Sequence, residues 1–221
     1  RVPLRDTGAG WEIDLDGVES ALRAGARAIL LCNPHNPTGT VHDRCTLETL
    51  AALAAAHGAA VVSDEIHAPL TQPDVRFMPF LDVSDEARAI GYAVVSASKA
   101  FNLAGLKCAI MVTADDAPSK VVRDMPVEVQ WRTGQFGLIA AAAAFSAESD
   151  AWLDGLLHTL DENRRLVGAL LADLLPEAEY RLPDAGYLAW IDLSALGWGE
   201  RPARRILREA KVALQPGTPF G

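Results

Sequence analysis

Ser96-Ala97-Ser98-Lys99-Ala100-Phe101-Asn102-Leu103-Ala104-Gly105-Leu106-Lys107 lies between two short apolar runs, Ala89–Val95 and Cys108–Val112. Both runs contain β-branched residues and are bounded by turn residues, so they read as buried strands. Lys99 then falls just past the end of a strand, where an open α/β sheet presents its ligands. A partly desolvated lysine is the amine that Schiff-base chemistry requires. Serine hydroxyls just before it, and a second cation, Lys107, eight residues on, suit a phosphate held beside that amine. Taken alone, the segment also reads as a surface loop, and the rest of the chain has to decide.

Towards the N-terminus, Ala28-Ile29-Leu30-Leu31-Cys32 is a continuous apolar run that reads as a central parallel strand. It stops at Asn33-Pro34-His35-Asn36-Pro37-Thr38-Gly39-Thr40, whose prolines and glycine require a rigid, non-helical loop. Val18, Leu22 and Ala26 mark one helix before this strand, and Leu47, Leu50, Leu53 and Ala54 mark one after it, closed by Gly58. Ala59–Ser63 is a further strand, delivering Asp64-Glu65-Ile66-His67 at its end. This alternation predicts a parallel α/β sheet with helices on both faces.

After Ala114 the character changes. Val121–Ala147 reads as helical, ending in an alanine-rich stretch suited to close packing. Leu153, Leu156, Leu157, Leu160, Val167, Leu170, Leu171 and Leu174 form one stripe on a long helix that ends at Pro176, a pattern expected of core. Tyr187–Asp192 reads as a strand and Ala203–Ala210 as a helix. The expected organisation is an α/β large domain over residues 1–147 and a smaller α+β domain over 148–221.

Composition narrows the function. Half of the 221 residues are hydrophobic and 22% are charged, as in ordinary globular proteins. A net charge of −9 argues against a general nucleic-acid or anionic-membrane surface. The basic patch of Arg201, Arg204, Arg205 and Arg208 reads as a solvated helix face opened by Pro202. The three cysteines, Cys32, Cys45 and Cys108, are widely spaced, which fits reduced thiols in a cytoplasmic protein rather than a disulfide framework. No His/Cys spacing suggests a metal, and no signal-peptide pattern or membrane-length apolar run is present.

Three strand ends thus supply Asn36, Asp64 and Lys99, at intervals of 28 and 35 residues. Parallel pairing brings such tips to one edge of the sheet. An amine, a carboxylate, an amide and a phosphate cradle together suit pyridoxal 5′-phosphate (PLP). Lys99 would carry the Schiff base, Asp64 would keep the pyridine nitrogen protonated, and Asn36 would donate to the phenolate oxygen. Ser96 and Lys107 would hold the phosphate, with Ser98 as a lesser candidate. Glu65, on the opposite side of the strand from Asp64, is expected to be structural. His35 and His42 read as loop residues.

Asn33-Pro-His-Asn-Pro-Thr-Gly39, Ser63-Asp-Glu-Ile-His67 and Ser96–Lys107 together resemble fold-type-I PLP enzymes of the class I/II aminotransferase family, over nearly the whole chain and in the family's order. The DEIH run and Ala-Phe-Asn-Leu-Ala-Gly-Leu after the lysine are most similar to its cystathionine β-lyase branch. The resemblance implies a three-layer αβα PLP-transferase large domain with a mostly parallel sheet, partial here, and a partial small domain. It implies a homodimer, a small amino-acid substrate and C–S β-elimination, with transamination, or a non-catalytic module of the same fold, as alternatives. His67 stands where many aminotransferases carry a tyrosine near the phenolate oxygen, and Lys107 where an arginine commonly binds phosphate. Tyr187 and Trp190 match the apolar strand of the small domain. Nothing before Asn33 resembles the family's phosphate-gripping loop or ring-stacking aromatic, and no residue after Gln215-Pro-Gly can be given the substrate-carboxylate arginine's place. The expectation is the middle and later part of such an enzyme, cut at both ends.

Overall fold

The computed structural model describes residues 1–220, so Gly221, the last residue of the expected small domain, lies outside the described residues. A short antiparallel pair, β1 (Arg5–Asp6) and β2 (Trp11–Glu12), leads into α1 (Leu15–Arg23), which buries Val18 and Leu22. Then come β3 (Ala28–Cys32), α2 (Arg44–Ala56) and β4 (Ala60–Asp64). The start of α2 is fixed by Asp43, whose carboxylate accepts the Thr46 N–H at 2.9 Å. Its buried face is Leu47, Leu50, Ala51 and Ala54, the spacing of one helical stripe.

Ser84 caps α3 (Asp85–Ile90), which runs directly into β5 (Gly91–Val95). The apolar run from Ala89 therefore divides between a last helical turn and a strand. β6 (Ile110–Val112) completes a sheet of order β3-β4-β5-β6, parallel except for the antiparallel β5–β6 pair. One face of this sheet, through Leu31 and Val61, packs on α1, α2 and α3 in a core centred on Leu22, Leu47, Leu50 and Phe80.

Two expectations about strands are corrected here. β3 is an edge strand rather than a central one, with Leu30 78% exposed on the face away from the core. β6 is not buried: Ile110, Met111 and Val112 are each 40% exposed or more. An apolar run reports what could be covered; the packing around it decides what is.

The stretch from Val121 is broken into α4 (Asp116–Arg123), α5 (Val127–Gln130) and α6 (Gln135–Ala144). Pro126 and Gly134 take the N-cap positions of α5 and α6 in extended conformation, which stops one helix and starts the next. α7 (Asp150–Leu174) is the expected long helix, but Leu170 and Leu174 of its stripe remain 48% and 71% exposed. A small antiparallel pair, β7 (Glu179–Tyr180) and β8 (Ile191–Asp192), takes only the end of the expected 187–192 strand. α8 (Pro202–Ala210) is the expected last helix, with Arg205 stacked over Trp198 and paired to Glu209.

Candidate active site

β3, β4 and β5 end together. Cys32 is in register with Asp64, and Asp64 with Val94. Beyond the strands the ladder continues, as Asn33 N–H donates to Asp64 O at 3.1 Å and Glu65 N–H to Val94 O at 2.9 Å. The loops carrying Asn36, His67 and Lys99 therefore leave from one carboxyl edge, where ligands of open α/β sheets sit.

The two adjacent carboxylates at the tip of β4 do different work. Glu65 is 3% exposed on the core side and accepts Ser63 Oγ (2.9 Å) and Phe80 N–H (2.8 Å). Burial pushes its pKa up. Asp64, on the other side of the strand, is partly exposed and accepts the Ile66 N–H at 3.2 Å. The structural reading of Glu65 follows from this geometry.

His67 is 5% exposed, and its Nε2 is buried with no hydrogen-bond partner among the described residues. Burial first, then the positive charge of Lys99, hold its pKa below the usual range, while Asp64 pulls the other way. Asp64 and the Lys99 loop leave the same sheet edge as the segment that carries this ring. Asn36 lines a small pocket with His67, Pro34, Gly186 and Leu188. Its N–H lies 3.5 Å from Cys32 Sγ, which folds the loop back over the tip of β3.

The lysine loop is pinned at its base. Ser96 Oγ donates to Cys108 O at 2.6 Å and accepts the Ser98 N–H at 3.0 Å. Ser96 is 4% exposed, so its hydroxyl braces the loop, whereas Ser98 is more open. Lys107 is exposed and adopts the left-handed conformation (φ 54°). Among the described residues no hydrogen bond or ion pair reaches its side chain or that of Lys99.

Sequence reasoning missed the wall facing the Asn36 loop, the strip Pro183–Gly186. Ala185 N–H donates to Gly39 O (3.0 Å), Gly186 N–H to Leu70 O (2.9 Å), and Asp184 Oδ2 accepts Val41 N–H (3.1 Å). Gly39 has φ +71°, and a Cβ there would lie 2.4 Å from Pro183 Cβ and 2.6 Å from Ala185 O. Glycine is thus required for both conformation and clearance. Pro183-Asp184-Ala185-Gly186 has the composition of a turn, and that was the only signal available in the chain.

The sequence model of the family described as "Aminotransferase class I and II" matches residues 1–221. The chain belongs to that family. A Mycobacterium tuberculosis (H37Rv) relative with the provisional name cystathionine beta-lyase is 42% identical, over 99% of this chain and 58% of its own length. Cystathionine beta-lyase PatB of Bacillus subtilis is 34% identical, over 99% of this chain and 57% of its own. Among solved structures, the PLP-bound C–S lyase from Staphylococcus hominis superposes with a TM-score of 0.85 at 28% identity, over 99% of this chain and 57% of that one. The chain spans a little over half the length of the relatives it matches, and it shares the PLP-transferase fold.

The residues present in this family member fit PLP. His67 Nε2 is buried without a hydrogen-bond partner among the described residues, in a pocket with Asn36 at the sheet edge that also carries Asp64 and the Lys99 loop, a set of polar groups suited to a polar aromatic ring. No cluster of three or more His, Cys, Asp or Glu suited to a metal occurs among the described residues. No described helix is long and apolar enough to cross a membrane.

Proposed function

We propose that the chain supplies the central groups of a PLP-dependent C–S β-lyase acting on cystathionine or a related cysteine S-conjugate, with a thiol, pyruvate and ammonia as products. The observation that carries this reading is that Asp64 and the loops bearing Asn36 and Lys99 leave one carboxyl edge of the sheet, where the buried ring of His67 lines a pocket with Asn36. The likeness to PatB and to the C–S lyase from Staphylococcus hominis supports the lyase class. PLP, when bound, supplies an electron sink for the charge that develops at the substrate Cα.

The chain's own groups then have distinct tasks. Lys99 Nζ, as the free amine, takes the proton from the substrate Cα, and the electron pair left behind expels the β-thiolate. Water hydrolyses the remaining unsaturated amino acid to pyruvate and ammonia. Asp64 would hold the pyridine nitrogen of the bound cofactor, keeping a proton on it. Asn36 would donate its amide hydrogen to the phenolate oxygen of the bound cofactor, and His67, kept neutral chiefly by burial, presents a nitrogen with no partner among the described residues. Ser96 and Lys107 remain the proposed phosphate groups, Ser96 also bracing the loop that carries Lys99 and Lys107 offering a point charge. Free thiols at Cys32, Cys45 and Cys108 agree with a cytoplasmic setting. The apolar surface at Trp131 and Phe136, 77% and 79% exposed, agrees with a homodimer. The proposed domain division stays at residues 147/148.

Assay of the intact protein tests the reaction. Pyruvate released from cystathionine, with a free thiol in equal amount, is the expected result. Amino-group transfer to 2-oxo acids without pyruvate release would refute it.

A further inference from the structure

α7 carries one buried charge. The side chain of Arg164 is 8% exposed within the leucine stripe, and its donors reach three parts of the fold. Nε donates to Asp161 one turn back (2.8 Å), Nη2 to Asp74 (3.1 Å), and Nη1 to the backbone carbonyl of Pro183 (2.9 Å). A buried guanidinium is tolerated only when its fork is matched in this way. Tyr180 closes the arrangement by donating its hydroxyl to Arg164 O at 3.2 Å.

Two of these anchors lead to the candidate site. Asp74 belongs to the segment that follows His67, whose Gln72 N–H donates to Asp184 O at 2.9 Å. Pro183 begins the strip that is hydrogen-bonded to Gly39 and Leu70. At the end of that strip a Cβ on Gly186 would lie 3.8 Å from His67 Nδ1, and the Tyr187 ring lies 6.0 Å from the His67 ring. We propose that Arg164 is a positioning residue: it locks the Pro183–Gly186 strip against the Asn36 loop and His67, and so keeps the His67 ring dry and the pocket in shape. The proposal rests on the lyase reading only for what the pocket binds.

The test is an NMR titration of the His67 ring in the full-length protein before PLP is added, with thermal melts and PLP titration alongside. His67→Asn identifies the resonance. In the wild type, His67 faces Lys99, Asp64 and Tyr187, and its midpoint lies below the usual 6.5. R164Q keeps the length but loses the charge and the fork. It is expected to move the His67 midpoint upward and to weaken PLP binding about tenfold, with R164K between it and the wild type. D74N, at a carboxylate 60% exposed, shifts the midpoint the same way by less and carries the test if R164Q does not fold. Lower melting with the His67 midpoint and PLP affinity unchanged would overturn the proposal. Failure of the lyase reading would show in the product assay and leave the His67 midpoint where it is.

Discussion

The loop after β3 and the loop after β5 leave the same sheet edge but are built differently. The first is bonded through its whole length. His35 N–H donates to Thr40 O (2.8 Å), Gly39 N–H to His35 O (2.7 Å), and His35 Nδ1 meets Thr38 Oγ1 (2.9 Å), with the Pro183–Gly186 strip across its outer side. The second is bonded within itself, Phe101 N–H to Ala97 O (3.0 Å), Leu103 N–H to Ser98 O (3.0 Å) and Leu106 N–H to Leu103 O (2.9 Å). It is braced at its base by Ser96, while its outer stretch from Ala104 to Lys107 is exposed. A group that only orients a ring gains from a rigid frame. An amine that must bond, release and move a proton gains from a fixed backbone and an unbonded side chain, as Lys99 has among the described residues.

That contrast breaks most visibly at Lys99. Lys99→Ala is expected to lower kcat by a factor of about a thousand or more while leaving the melting temperature near wild type, since no described hydrogen bond uses its side chain. A large fall in melting temperature would mean that the Lys99 side chain is structural after all.

The rigid loop is tested through His42, 5% exposed at its far end. Burial first, then the charge of His35, push its pKa down to about 4, with Asp43 opposing. The sign follows from linkage: the unfolded state binds the proton near pH 6.5, the folded state only near pH 4, so stability falls as pH drops through that window. The loss attributable to His42 is roughly 3 kcal/mol. Glu65, raised by burial, works in the opposite sense. The measurement is therefore the difference between wild type and His42→Asn in denaturant melts at pH 7 and near pH 4, where the variant should lose less.

Ser96→Ala is the smallest effect, about 1–3 kcal/mol of stability, from one lost donor to Cys108 O and one stranded Ser98 N–H. It should lower activity through the position of Lys99 and leave the first loop's hydrogen-exchange protection unchanged. Protection lost equally in both loops would erase the distinction between them.

Much of this arrangement was legible in the sequence because local chemistry dictates it. Two prolines and a glycine in the first loop, the Asp43 and Ser84 caps, and the alternation that separates Asp64 from Glu65 act over a few residues. What was not legible depends on neighbours distant in the chain. Leu30 and Met111 are as apolar as any strand residue, yet the face they occupy is left open. Arg164 is hidden for the converse reason: a charge inside a leucine stripe looks solvated until Asp74 and the Pro183 carbonyl are found beside it. The pocket wall at Gly186 likewise gave no sign of facing His67, which lies more than a hundred positions earlier in the chain.

The central claim is that the amine at the tip of β5 meets the same ring as Asp64 and Asn36. Borohydride reduction of the intact protein in the presence of PLP, followed by peptide mapping, tests it most directly. The account predicts a stable pyridoxyl adduct on the peptide containing Lys99 and its loss in Asp64→Ala at limiting PLP. An adduct confined to Lys107, Lys120 or Lys211, or no adduct at all, would contradict it.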